Sequence, residues 1–458
     1  MPKPSKPPRF GNKSYDDVLR NNELYGKDPV WLGPRGRDYG AWLDNPKPYQ
    51  IANLYPDTNS SYWIAQFRLP KNATLIIKGR FPYCRYTEFA LYTPDPLGSF
   101  NATSEALTDD EIAPDPGSVN PFVPGNPRLA ENRDYTIRIV AKDAPARKED
   151  RAPNTLYAGT PEALQMCLRV YLPDLGRDAT GDVGLPKYEG VAADGTKLSA
   201  EEVLEQWNDP MSEGIKSGMT LDQWKKLRDA PDNDPAMKPE SIPARTPPVM
   251  ERFFNSKYNF VGVFKAPDDR AKISANVTVG FGGSSNITYV MCWVSRAYGP
   301  VLVLRGKMPK YPNTFAGENG NGLETMTDWE ARYWSIVICE APPSGLSNDG
   351  LSDFQVPLDE DGNYTIVISR KEDRPANATD ENGIAWMEWS PRGEGLDDPS
   401  NRPDFGFIVI RYQHTNPDWK NSPTKVTEPG SEPDVMGPYS PRGEYMDKAT
   451  FEARGTRS

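Results

Sequence analysis

Histidine is almost missing from this chain: among 458 residues only His414 carries an imidazole. That excludes a histidine-rich zinc, iron or copper site. No Gly-x-Ser-x-Gly stretch accompanies His414 to suggest a serine nucleophile, so a surface or strand-end histidine is the plainer reading. Cysteine is scarce too. Cys84, Cys167, Cys292 and Cys339 fall two to each half, and none belongs to a Cys-x-x-Cys pair, which argues against a thiolate metal site. Two readings stay open for them: one bridge per half, Cys84–Cys167 and Cys292–Cys339, or four buried thiols in strands. No apolar run approaches the roughly 18 residues that cross a bilayer as a helix. Positive charge is in deficit, with 53 Lys and Arg against 64 Asp and Glu. The resulting net charge of −11 repels nucleic acid and acidic membranes.

Proline and glycine, in contrast, are plentiful, at 47 and 37 residues. That much punctuation leaves little room for long helices and favours short strands joined by shaped loops. The opening MPKPSKPPRFGNKS holds no apolar stretch of the kind a secretory leader needs. Yet Asn-x-Ser/Thr triplets occur at Asn12, Asn59, Asn72, Asn101, Asn276, Asn286, Asn363 and Asn377, where composition alone gives about three. Either the chain is secreted and glycosylated with its leader missing here, or Asn and Thr are serving strand-flanking turns.

One stretch is used twice. Tyr62 to Pro82, YWIAQFRLPKNATLIIKGRFP, lies over Tyr289 to Pro309, YVMCWVSRAYGPVLVLRGKMP, without a gap. Lys78-Gly79-Arg80 falls on Arg305-Gly306-Lys307. Downstream, Arg85-Tyr86 matches Arg332-Tyr333, and Tyr135 to Val140 matches Tyr364 to Ser369. Cys167 to Tyr171 is laid on Ile408 to Tyr412. Four elements recurring in one order point to an internal duplication. The expected fold is mainly β: two tandem duplicated β-sandwich or jelly-roll-like domains with a small helical insert.

The divisions come from punctuation. Residues 1–58 read as an N-terminal helix, capped by Ser14 and stopped at Gly26, followed by wrapping loops. Residues 59–190 form the first β domain, with a long excursion at 101–129 that suits a functional loop. Residues 191–249 hold two short capped helices, opened by Ser199 and Thr220, and a linker. Residues 250–415 form the second β domain, with a glycine-rich excursion at 313–327. Residues 416–458 read as an extended polar tail.

Chemistry is sparser. Asp359, Asp361 and Asn363 carry the alternate-oxygen spacing of a hard-cation loop, and calcium is the one cofactor they suggest; Asp-Gly is also ordinary hairpin chemistry. Asp174, Asp178 and Asp182 sit on another loop. Arg80, Tyr83, Arg85, Tyr86 and Glu88 alternate along one extended segment, with Arg332 and Tyr333 as the second-half counterparts. Arginine and tyrosine beside a carboxylate bind sugars or acids, or do acid–base work. Arg80, Tyr86 and Glu88 are expected on one wall, roofed by 101–129, with Phe81, Phe89 and Leu91 facing the core.

The succession RYTEFALYTPDP, DYTIRIVAKDAP, NTLY and LRVYLPD, echoed by RYWSIVICEAP, DGNYTIVISRKEDRP and FIVIRY, resembles the sheet domain of certain uncharacterised bacterial envelope proteins. The likeness covers about a third of the chain and departs at Asn154-Thr155-Leu156-Tyr157, where that family has an NWLP turn. It implies a jelly-roll-like sheet domain and no established activity. The reading favoured is an exterior or envelope protein that binds a carbohydrate or surface ligand, with 11 tryptophans and 22 tyrosines as stacking surfaces. Its rivals are a hydrolase or lyase of a sugar-based or acidic polymer using Tyr86, Arg85 and a carboxylate, and a structural subunit that forms homo-oligomers.

Overall fold

The computed structural model describes residues 32–35, 55–93, 102–159, 164–207, 221–237, 243–277, 284–314, 323–342, 345–396 and 399–454. The N-terminal helix expected over 14–26 lies outside the described residues. The chain is mainly β, and its strands fall into four sheets.

The first half supplies β1 (Leu32–Arg35), β2 (Ser60–Phe67), β3 (Thr74–Arg80), β4 (Cys84–Thr93), β5 (Ala102–Thr108), β6 (Asp134–Val140), β7 (Thr155–Tyr157), β8 (Leu164–Pro173), β9 (Lys187–Val191) and β10 (Lys197–Leu198). One sheet runs β1-β2-β8-β4-β5, the other β10-β9-β3-β6-β7. Alternation decides which faces are buried: Leu75 and Ile77 on β3 and Tyr135, Ile137 and Ile139 on β6 point inward while their neighbours do not. They meet Trp63, Phe89, Leu91 and Leu168 of the other sheet in a single core.

Two helices come next, α1 (Ala200–Trp207) and α2 (Leu221–Arg228). The Ser199 capping box closes, with Ser199 N donating to Glu202 Oε2 at 2.7 Å and Glu202 N to Ser199 Oγ at 3.3 Å. Val203 and Trp207 of α1 sit so close to β9 that a Cβ on Gly190 would meet them at 2.7 and 2.8 Å. Trp224 of α2 stacks on Trp293, and its Nε1 donates to buried Glu394, which also takes Arg228.

The second half supplies β11 (Glu251–Arg252), helix α3 (Pro267–Arg270), β12 (Ile287–Ser295), β13 (Val301–Lys307), β14 (Ala331–Cys339), β15 (Ser347–Ser352), β16 (Asn363–Ser369), β17 (Ile384–Glu388), β18 (Phe405–Thr415), helix α4 (Glu432–Met436), β19 (Arg442–Met446) and helix α5 (Lys448–Arg454). Its sheets run β11-β12-β18-β14-β15 and β17-β16-β13-β19. Exchange each strand β2 to β9 for the one ten places later, and the two orders coincide, down to the parallel pairs β6–β7 and β16–β17.

The repeated Gly79 and Gly306 have a shared steric reason. Each lies opposite a tyrosine, Tyr135 or Tyr364, and an added Cβ would meet the tyrosine hydroxyl at 2.5 or 2.7 Å. The ring packs across the bare glycine.

Two expectations are corrected by the ladders. Tyr62 pairs with Arg169 and Tyr289 with Arg411, so Arg169 and Arg411 hold like places, one residue off the alignment of Tyr171 with Tyr412. A one-residue slip turns every side chain to the other face. The residues after 415 are no loose extended tail. Antiparallel pairing places β19 beside β13, and Trp419, Val426, Met436, Met446 and Phe451 are buried. Apolar residues so widely spaced show no period in sequence, yet each reaches a core.

The cysteines remain thiols, all buried. Cys84 lies opposite Pro173 and Cys167 opposite Ala90, six residues along β4, or roughly 20 Å. Cys292 and Cys339 flank β18 opposite Ile408 and Phe407, two strand spacings or roughly 10 Å apart and on opposite faces. Neither pair is within bridging reach.

Candidate functional site

The expected site residues divide into two groups, because the chain turns between them. Arg80 ends β3 and Cys84 begins β4, in different sheets. Phe81 is buried in the core, Pro82 and Tyr83 make the crossing, and Gly181 (φ +64°) packs so tightly there that a Cβ would sit 2.7 Å from Tyr83 N. Arg80 therefore does not share a wall with Tyr86 and Glu88. Phe89 and Leu91 do face the core.

Arg85, Tyr86, Glu88, Arg332 and Tyr333 are fully buried where the two halves meet. Arg85 Nη1 donates to both carboxylate oxygens of Asp353 at 3.0 Å, and its Nε to Thr314 Oγ1 at 2.9 Å. In return, Arg332 Nη1 donates to Asp109 Oδ1 at 3.3 Å. Each aspartate is held in its own half by a strand N–H two residues past the local arginine. Thr87 N reaches Asp109 Oδ2 at 3.0 Å, and Trp334 N reaches Asp353 Oδ2 at 3.0 Å. Both aspartates also open a 3₁₀ turn with a capping box, Thr108–Glu111 or Ser352–Gln355. The exchange is reciprocal, as across an isologous interface.

The seam is polar throughout. Glu88 takes Arg169 Nη1 at 2.5 Å, the Tyr86 hydroxyl at 2.7 Å and, from the second half, Ser284 Oγ at 2.8 Å. Asp57 accepts from the Tyr333 hydroxyl at 2.9 Å and from Ser335 Oγ. Asn59 is buried with its amide on Gln355 Oε1 at 3.1 Å, so that triplet has no room for a glycan. His414 contacts Asp110 Oδ2 across the seam at 2.8 Å. Burial pushes the Asp109 carboxyl up to about 7, against the pull of Arg332. Burial also raises Asp353, with Arg85 opposing. For Asp110, burial is outweighed by the His414 ring and Arg332, and its carboxyl is held well below the usual range. The described part of 101–129 meets β4 from inside this seam through Asp109 and Arg128, and meets Arg332 of β14 through the Phe122 carbonyl.

Arg80 and Tyr83 stay at the surface. The Arg80 side chain is 46% exposed and bonds the Glu131 carbonyl at 2.7 Å. It lines a groove with Trp63, Pro82, Tyr135, Thr180 and Leu185. The groove is shallow, enclosing about 10 Å³, roughly the room for one water and far below the roughly 300–1,000 Å³ that holds a small molecule. Beside it, the Tyr83 ring lies under two guanidiniums, Arg133 at 3.6 Å and Arg177 at 4.5 Å from its centroid. Arg133 is not legible as a site residue in the sequence, because nothing in NRDY marks it as buried.

The proposed cation loops are occupied by their own backbones. Asp359 Oδ1 accepts Asp361 N at 3.0 Å and Asn363 N at 2.8 Å, and its Oδ2 the Asn363 amide at 3.0 Å. Asp178 caps Thr180 and Asp182 in the same manner, and Asp174 is bound by Arg128 at 2.7 Å. Among the described residues no three His, Cys, Asp or Glu gather as a metal-holding group. Nor is any described helix long and apolar enough to cross a membrane.

No family model matches the chain, and no curated protein matches it in sequence. Among solved structures it is similar to an uncharacterised protein from Burkholderia cenocepacia, at 12% identity and a TM-score of 0.47, covering 95% of this chain and 88% of that one. It is also similar to a protein from Vibrio parahaemolyticus, at 11% identity and a TM-score of 0.36, covering 88% and 93%. The chain thus stands beside uncharacterised bacterial proteins of weak similarity.

Proposed function

We propose that the chain is a non-catalytic binding protein, exported to the cell exterior or envelope, whose first half takes a carbohydrate or surface ligand at the groove edged by Arg80 and Tyr83. One observation carries this reading. Of the Arg-Tyr-carboxylate residues in the first half, only Arg80 and Tyr83 keep solvent access, Arg80 on the lining of a shallow groove and Tyr83 next in the chain to Pro82, which also lines it. Arg85, Tyr86 and Glu88 are spent on holding the halves together, which leaves acid–base work without an exposed pair. We further infer that the halves are β-sandwich domains derived by tandem duplication. The coincident strand orders, the paired Gly–Tyr contacts and the reciprocal Arg–Asp exchange support that origin.

A glycan array on the full chain, followed by calorimetry on Arg80→Ala with Tyr83→Ala, tests the site. The double variant is expected to lose binding at least tenfold while keeping its melting temperature. Unchanged binding would remove the site from this groove, and turnover of a bound glycan would favour the hydrolase or lyase reading.

A further inference from the structure

The seam holds one set of groups twice and changes their places between the two. Ladder register gives the correspondence. Tyr62 and Glu88 both lie opposite Arg169, and Tyr289 and Ser335 both lie opposite Arg411. Glu88 on β4 and Ser335 on β14 thus hold like places. So do Asp57 and Ser284, each five residues ahead of its tyrosine. Both cap the turn into the strand that follows: Asp57 Oδ1 accepts Asn59 N at 2.7 Å, and Ser284 Oγ accepts Asn286 N at 3.1 Å. In the first cluster the carboxylate comes from the strand. Glu88 takes Arg169 Nη1 at 2.5 Å, the Tyr86 hydroxyl at 2.7 Å and, across the seam, Ser284 Oγ at 2.8 Å. In the second it comes from the turn. Across the seam, Asp57 takes the Tyr333 hydroxyl at 2.9 Å and Ser335 Oγ, and faces Arg411 Nη1 at 3.9 Å. Each cluster joins a buried carboxylate, tyrosine, arginine and serine. Both carboxylates belong to the first half and both serines to the second.

We propose that the seam face of each half is an interaction surface keyed to the opposite half and closed to its own kind, the like half of a second chain included. Two first halves joined in the same manner would set Glu88 against Asp57 in both clusters. One of the two buried carboxylates would then go unpaired or take up a proton. Two second halves would set Ser335 against Ser284 and remove the carboxylate that Arg411 faces. The exchange of Arg85 with Asp353 and of Arg332 with Asp109 cannot make this distinction. Each half brings one arginine and one aspartate to it, so any pairing of halves completes it. That exchange holds halves together, and the traded carboxylates decide which halves they are.

The test is thermal melting of the full chain in two mutant cycles. Ser284→Asp recreates the encounter of two first halves, because it brings a second carboxylate to Glu88 while an aspartate can still cap Asn286. It should lower the melting temperature by about 5 °C or more. Glu88→Ser takes the carboxylate from Arg169 and should lower it by a similar amount. Glu88→Ser with Ser284→Asp gives this cluster the residues of the other one, and should melt above either single variant. Asp57→Ser with Ser335→Glu makes the converse move, and should melt above both of its own single variants. This second cycle decides the matter if the first set does not fold. Double variants that melt no higher than the better single in both cycles overturn the keying, as does the failure of both doubles to fold. A Ser284→Asp chain as stable as the wild type overturns it too, since Glu88 would then accept a second carboxylate.

Discussion

The two halves share a strand order and part company just before one of its strands. At the place two residues before the ring-packing tyrosine, the first half has Arg133 and the second has Gly362. Gly362 (φ +80°) completes a tight turn whose polar groups are satisfied by Asp359. Arg133 instead puts a guanidinium with two unsatisfied donors under Tyr83. At the seam, by contrast, the halves mirror one another: arginine, strand N–H and capped aspartate recur on both sides. Where the halves agree, the residues hold the seam together. Where they part, the second half has a turn and the first a guanidinium with two unsatisfied donors.

The largest expected effect breaks the seam. Arg85→Ala leaves the Asp353 carboxylate buried and unpaired, which should cost about 3–5 kcal/mol in urea denaturation. Arg332→Ala should cost less, because its bond to Asp109 is single and longer, 3.3 Å against two of 3.0 Å. Replacing the pair together, Arg85→Met with Asp353→Leu, should recover much of the loss. Equal losses for both arginines would deny the asymmetry between the two pairs.

A smaller effect sharpens the likeness of the halves. Gly79→Ala and Gly306→Ala should each cost about 1–3 kcal/mol by overpacking against Tyr135 and Tyr364. The two values should match closely. If one is tolerated freely, the tyrosines do not play the same part.

The seam should also register pH. The Asp109 carboxyl stands at about 7 in the folded chain against 3.8 in the unfolded one. Its contribution to stability is fully present below about pH 3.8 and is lost as pH rises through 7, with a slope of up to about 1.4 kcal/mol per unit. Asp109→Asn should flatten that fall. Asp110, held low by His414 and Arg332 against its burial, acts in the opposite sense: its contribution is present above the usual carboxylate range and lost on acidification. An Asp110→Asn chain should therefore be less acid-sensitive than the wild type.

The smallest effect concerns the loop after β15. Asp359→Ala removes three exposed hydrogen bonds and should cost at most about 1 kcal/mol. A rise in melting temperature on adding millimolar calcium, abolished by this variant, would instead give the loop a metal.

Local periodicity makes much of the strand content legible: alternation marks Leu75 and Ile77 as inward, and the Ser199 box announces a helix start. The gapless match of Tyr62–Pro82 with Tyr289–Pro309 is also visible in sequence, and the two halves do share a strand order. Alternation misleads when it is carried across Arg80 to Glu88 as one shared wall. Pro82 takes the chain from one sheet to the other, and period-two reasoning holds only within one strand. The tail is silent in sequence because a strand such as β19 is made by its partner β13 rather than by its own apolar pattern.

Composition and residue order are enough to establish a strand-rich, acidic chain with two similar halves, no histidine-rich metal centre and no long apolar span. They are not enough to say what its arginines are for. Charge is neutralised in three dimensions, and partners such as Arg85 and Asp353 stand 268 residues apart along the chain. The same Arg-Tyr motif thus reads as a binding wall in one dimension and as an internal seam in three.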